Sequence, residues 1–155
     1  MKYLVRALAL AAGFLTLIAS MASSQAQDGP KLYVFSSGSL GGFPKVALHV
    51  HVADFTKALP LPQLDGIVMA NSLHFVRDKV PLLTRLRGRL RPRVGRLILV
   101  EYDSDDGNMW VPHPLSAATW RDLAPLAGFG ETRLLHTVPS RFLGRIYSAL
   151  SLAGD

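Results

Sequence analysis

The stretch from Leu64 to Asp103 constrains the fold more than any other. Leu64-Asp65-Gly66-Ile67-Val68-Met69-Ala70-Asn71-Ser72-Leu73-His74-Phe75 and Arg96-Leu97-Ile98-Leu99-Val100-Glu101-Tyr102-Asp103 are two near-continuous apolar runs, each closing on polar residues. Runs of this kind suit parallel strands covered on both faces. Parallel neighbours need a crossover, and the arginine-rich segment between the runs has the spacing of a helix. Ligands of open α/β sheets bind beyond the carboxyl ends of the strands. Asn71 to His74 and Glu101 to Asp103 are therefore the first places to look for chemistry.

The crossover helix is expected from Asp78, a capping residue, to about Leu90. Pro81 stands in its first turn, where a missing N–H costs nothing. Val80, Leu83, Leu86 and Leu90 recur at helical spacing and define the expected buried stripe. Arg85, Arg87, Arg89 and Arg91 occupy much of the remainder as a solvated surface. Arg91-Pro92-Arg93-Val94-Gly95 turns the chain into the second run. Further on, Ser104 to Asn108 is a polar loop and Trp110-Val111-Pro112-His113-Pro114 a stiff one. Ser116 caps a second helix to about Ala127, with Trp120, Leu123 and Leu126 facing inward and Gly128 as its stop. Glu131 to Val138 reads as a strand, and Phe142 to Leu150 as a last strand, with a short helix the alternative.

Before the central stretch, Lys31 to Phe35 reads as a short strand, followed by the Gly/Ser-rich turn Ser36 to Gly42. Val46 to Val52 alternates as a strand that sets His49 and His51 on one face. Asp54 and Phe55 follow, and Pro60-Leu61-Pro62 leads stiffly onward. The first 26 residues differ in kind. Lys2 and Arg6 precede the uncharged apolar run Ala7 to Ala19, and Ser24-Gln25-Ala26 offers small residues for a signal peptidase. The run is too short to make a comfortable permanent span. The leader, if used, makes the protein secreted or periplasmic; otherwise it is cytoplasmic. The chain has 155 residues and no cysteine, which excludes disulfides, thiolate metal sites and a thiol nucleophile. Its net charge of +6 comes from scattered arginines rather than a block, so no nucleic-acid partner is expected.

Residues 46–155 resemble the second half of a class I S-adenosylmethionine-dependent methyltransferase. The resemblance rests on the order and spacing of Val52-Ala53-Asp54-Phe55, then Leu64 to His74, then Leu90-Arg91-Pro92 with Gly95 to Tyr102, then Trp120 and Gly128-Phe129. It implies an α/β fold: a partial Rossmann-like methyltransferase sheet with crossover helices and a C-terminal antiparallel hairpin. It implies S-adenosylmethionine as cofactor and a small-molecule acceptor. In such enzymes an acidic residue in the position of Asp54 receives the adenine amino group, and the next residue, here Phe55, packs on the ring. Ala70, Asn71 and Ser72 then lie beside the methionine part. His74 is a candidate base. Tyr102, Trp110 and Arg141 are candidates for the acceptor side, with Asp103 and Trp120 nearby.

Two departures stand against the family pattern. No glycine-rich turn with a following acidic strand end precedes Val46 in this sequence, so the reading is of a truncated, weak or inactive methyltransferase. Arg93-Val94 also stands where the family has glycines after the proline, and a β-branched residue suits positive φ poorly. The start, Pro30 to Leu40 behind a leader, is similar to secreted metallo-β-lactamase-fold lactonases. The alternatives are thus a non-catalytic fusion fragment joining two coding segments, or a remnant of a secreted metal-dependent hydrolase. His49 and His51 lack the Asp and third His of that motif, since Ala53 and Asp54 follow, and no metal ligands are assigned. The expected division is a leader over 1–26, a linker with one strand over 27–45, and the methyltransferase-like domain over 46–155.

Overall fold

The computed structural model describes residues 31–36 and 49–155, with side chains from Asp54 onward. The leader expected before Gln27 and the glycine-rich turn after Ser36 lie outside the described residues, as do the His49 and His51 side chains. β1 (Lys31–Ser36) and β2 (His49–Asp54) form an antiparallel pair in register from Lys31 opposite Asp54 to Ser36 opposite His49.

The main sheet has four strands: β3 (Gly66–Ala70), β4 (Arg96–Tyr102), β5 (Phe129–Pro139) and β6 (Arg145–Ala153), in the spatial order β3-β4-β6-β5. β3 and β4 are parallel, as the two apolar runs predict. β6 is antiparallel to both β4 and β5, so it alone runs against the other three. The expected C-terminal hairpin is present, and the open choice for the last segment resolves as a strand. Its turn places Leu143 at φ 55° and Gly144 at φ 77°.

The crossover helix α1 (Lys79–Arg87) begins where expected and stops three residues short of Leu90. Asp78 occupies the capping position with extended backbone, but its side chain makes no capping bond. The buried face is Leu82, Leu83 and Leu86, while Val80 is only half-buried. Leu90 is buried too, as part of the turn that lies parallel to Leu64: the Leu64 N–H donates to the Arg89 carbonyl at 2.7 Å, and the Arg91 N–H donates to the Leu64 carbonyl at 3.0 Å. The arginines lie at the surface as expected, but most of them also tie loops to the helix. Arg85 donates to the Thr56 carbonyl at 2.6 Å, Arg87 to Gly128 at 3.1 Å and Gly154 at 2.6 Å, and Arg91 pairs with Asp65 at 3.1 Å.

α2 (Ala117–Leu126) carries the second correction. Trp120 is buried and Leu123 half-buried, but Leu126 is 72% exposed, and Ala124 and Ala127 fill the inward face instead. Pro125 sits in the last turn, and Gly128 ends the helix at φ 85°, with its N–H bound to the Pro125 carbonyl at 3.0 Å. Both helices contribute to one core with Ile67, Met69, Leu97, Leu99, Phe129, Tyr147 and Ala149. Burying these apolar side chains is the main stabilising term, of order 2 kcal/mol for each large one. The expectation of two covered faces needs correction: β3 and β4 alternate, and Val68 on the face away from this core is 54% exposed, with Ile98 and Val100 half-buried.

Candidate functional site

Beyond the carboxyl ends of β3 and β4 the chain makes a tight turn around one buried acid. Asn71 takes φ 47°, a conformation asparagine tolerates better than most residues, and its N–H donates to the Val100 carbonyl at 2.9 Å. The turn then brings three consecutive backbone N–H groups onto Glu101 Oε1: Ser72 at 2.9 Å, Leu73 at 2.7 Å and His74 at 3.4 Å. The other oxygen, Oε2, lies 2.7 Å from His74 Nδ1. Glu101 is fully buried, and His74 is 3% exposed. A buried carboxylate is costly unless donors surround it, and here four do.

A second layer holds this turn in place. The His74 carbonyl accepts from the His113 N–H at 2.9 Å. Lys79 Nζ donates to the Val76 and His113 carbonyls, both at 2.8 Å. Burial lowers the pKa of Lys79, and the Glu101 charge offsets part of that shift. Asp103 accepts from the Ala117 N–H at 2.9 Å and pairs with Arg145 at 3.0 Å. Asp105 accepts from the Ser116 N–H at 2.8 Å, and Ser116 Oγ accepts from the Thr119 N–H at 3.1 Å. Three side-chain oxygens thus satisfy three of the four orphan donors at the amino end of α2.

An aromatic row runs along the same strand ends. The His74 ring lies 4.3 Å from that of Phe75 and 5.9 Å from that of Tyr102, and Tyr102 meets Phe142 edge-on at 5.6 Å. Phe142 comes from the β5–β6 turn, so β3, β4 and the hairpin all converge here. Burial raises the pKa of Tyr102, and the nearby Glu101 charge adds to the shift.

The expected site residues divide between this cluster and other places. Ala70, Asn71, Ser72, His74 and Tyr102 stand together at the strand ends. Asn71 Oδ1 and Ser72 Oγ are buried without a hydrogen-bond partner among the described residues. Asp54 closes β2, and its Oδ1 accepts from the Thr56 N–H at 2.9 Å and hydroxyl at 2.6 Å, with Lys57 3.6 Å from Oδ2. The hydroxyl bond from Thr56 is the largest cause of its lowered pKa; burial works against it, while the Thr56 N–H and Lys57 add to it. Phe55 is fully enclosed in the core, so its ring has no open face. Trp110 is 67% exposed and Arg141 exposed. Trp120 is a core residue 6.2 Å from Phe129, not a wall of the strand-end cluster.

Glu101 had no assigned role in the sequence, although a signal existed. It continues the alternation Leu97, Leu99, Glu101 and so had to face the core, where an acid needs partners. A cleft of about 270 Å³ lies elsewhere, between Phe55–Leu61 and the second half of α1. Its Arg89 neighbours Leu64, which places it towards the start of β3 and away from the strand ends. Among the described residues no three His, Asp or Glu side chains gather as a metal site, and no helix is long and apolar enough to cross a membrane.

This sheet order, with one reversed strand, matches a partial Rossmann-like fold of class I S-adenosylmethionine-dependent methyltransferases. Solved structures of that fold superpose on the chain. An S-adenosylmethionine-dependent methyltransferase from Thermotoga maritima, described as a possible histamine N-methyltransferase, matches with TM-score 0.51 and 19% identity over 61% of this chain. The Burkholderia thailandensis 1,6-didemethyltoxoflavin-N1-methyltransferase, solved with S-adenosylhomocysteine, matches with TM-score 0.51 and 18% identity over 66%. The methyltransferase domain of the citrinin polyketide synthase gives the same score and identity over 66%. The chain spans 59%, 49% and 32% of those three chains respectively. At these identities the likeness is one of fold. No protein-family model and no curated protein sequence matches the chain.

Proposed function

We propose that this chain is a methyltransferase-type protein that binds S-adenosylmethionine weakly through the turn after β3. The observation that carries the reading is the strand order β3-β4-β6-β5 with β6 alone reversed, joined to a strand-end turn whose backbone is fixed by Glu101. The residues fit the cofactor at one end. Asn71 Oδ1 and Ser72 Oγ, buried without a hydrogen-bond partner among the described residues, lie beside Ala70, where the methionine part would be held. The adenine end fits less well, because Asp54 already accepts from Thr56 and Phe55 has no open face.

When bound, the cofactor supplies an electrophilic methyl group on a sulfonium. The contribution of this chain is placement. The Ser72–His74 turn is held by buried hydrogen bonds and does not have to order itself around a ligand. His74 and Tyr102 stand next to it as acceptor-side groups for a small molecule. A fragment reading, in which the same half-fold binds nothing, draws on Asp54 and Phe55 being satisfied internally.

Calorimetric titration of the full chain separates the two. On the reading that no glycine-rich turn contributes its backbone bonds, about three hydrogen bonds at ~1 kcal/mol each would be lost, and affinity should be about a hundredfold below that of a complete crevice. Weak, saturable heat that S-adenosylhomocysteine displaces supports the proposal. No heat at any concentration overturns it, and low-micromolar binding overturns the weakness.

A further inference from the structure

We propose that the cleft between Phe55–Leu61 and α1 takes the alkyl chain of a medium-chain carboxylic acid, with Arg85 and Arg89 holding the carboxylate at its rim. The proposal is independent of the methyltransferase reading, because the cleft lies towards the start of β3 and away from the strand ends. Its apolar surface comes from both sides. Leu82 and Leu86 are buried on α1, while Leu59 and Leu61 are half-buried on the loop. The loop side is preformed. Pro60 and Pro62 have fixed φ angles. The Lys57 N–H donates to the Asp54 carbonyl at 3.1 Å, and the Leu61 N–H donates to the Leu59 carbonyl at 2.8 Å. Two arginines then tie the loop to the helix: Arg85 Nη2 donates to the Thr56 carbonyl at 2.6 Å and Arg89 Nη1 to the Leu61 carbonyl at 3.4 Å. Walls held in this way lose little freedom when a ligand enters.

Size and charge set the ligand class. A cavity of about 150 Å³ holds one benzene, so on the same scale the 270 Å³ of this cleft holds about ten carbon atoms. A flexible alkyl chain gains dispersion contacts along leucine walls, and each CH₂ it buries strengthens binding. Lys57, Arg85 and Arg89 line the same cleft, and none of its lining residues is acidic. Lys57 is answered in part by Asp54, 3.6 Å away. Arg85 and Arg89 stand one helical turn apart on one face of α1. The loop carbonyls engage one of the five N–H donors of each. The remaining donors form the planar fork that suits a carboxylate, so the charged rim and the apolar walls together fit an amphiphile with a single anionic head.

The experiment titrates the full chain, labelled with nitrogen-15, with monomeric hexanoate, octanoate and decanoate at neutral pH. The amide signals of Leu59, Leu61, Leu86 and Arg89 should shift saturably, and Kd should fall about fourfold for each added CH₂. Decanol, which lacks the charge, should bind about tenfold more weakly than decanoate. The double variant Arg85→Gln/Arg89→Gln should erase that difference and leave decanol binding as it was. Ala58 lines the cleft and is exposed, so Ala58→Phe should occupy the space and abolish binding of both without lowering the melting temperature. If that variant does not fold, the chain-length series in the wild type still decides. A Kd independent of chain length, or shifts centred on other residues such as the exposed Val68, overturns the cleft as the site. Decanol binding as tightly as decanoate overturns the role of the arginines, and decyl phosphate binding more tightly than decanoate overturns the carboxylate. Binding to phosphatidylglycerol vesicles with no response to decanoate would assign the cations to a lipid surface and overturn the proposal as a whole.

Discussion

Arg93 shows at the scale of one residue how the chain departs from its fold's usual pattern. The turn after Pro92 does need a left-handed residue, but the need falls on Arg93, at φ 64°, and not on the β-branched Val94, which is exposed. Gly95 answers a different demand: a Cβ there would lie 2.7 Å from the Arg91 carbonyl and from Leu90 Cβ. An L-residue in the left-handed region costs about 1 kcal/mol. Arg93 recovers little of this through its exposed pair with Asp155. Urea unfolding should therefore rank Arg93→Gly above the wild type by roughly 0.5 kcal/mol, with Arg93→Val below it by about 1 kcal/mol. A Val variant as stable as the Gly variant would remove the strain from the account. At this scale the sequence marked Glu101 by its place at a strand end, and its phase with Leu97 and Leu99 turns it inward. Its partners were not legible, because Ser72–His74 approach it only after the intervening crossover has folded.

Among the elements, α2 is the one whose start was most legible and whose inward face was least. Ser116 is its cap, as read, but Asp103 and Asp105 also bind its first N–H groups from the loop after β4. For Asp105, burial would raise the pKa, yet the Ser116 and Thr119 donors outweigh it and leave the carboxyl below its ordinary 3.8. A carboxyl depressed in the folded state adds stability above that ordinary value and loses it as pH falls through the folded one. The melting temperature of Asp105→Asn should accordingly lie below that of the wild type at neutral pH, and the gap should close on acidification below about pH 3.8. A gap that persists unchanged at pH 2 would place the effect elsewhere. Apolar type alone points to Leu126, but packing space decides the inward face. α2 packs close against its neighbours, so the small Ala124 and Ala127 are buried and Leu126 is left outside. In α1 the same geometry brings Leu82 in and leaves Val80 half-open.

For the whole molecule, the order of the sheet sets which parts are most secure. β4 and β6 are paired on both sides, whereas β3 pairs, among the described residues, with β4 alone. Hydrogen exchange should find the slowest amides in β4 and β6, with β3 exchanging about tenfold faster or more. Equal protection of β3 would mean that its outer edge is covered. The sequence by itself determined the parallel pair, its crossover helix beginning after Asp78, and the start and stop of α2 at Ser116 and Gly128. These follow from local periodicity and backbone chemistry, which adjacent residues carry. Only the tertiary structure decided that both helices share one face, that β6 is inserted between β4 and β5, and that Glu101 clasps the turn at Ser72–His74. Those depend on contacts between residues 27 to 29 positions apart or more, where packing space and hydrogen-bond satisfaction, not local preference, select the arrangement.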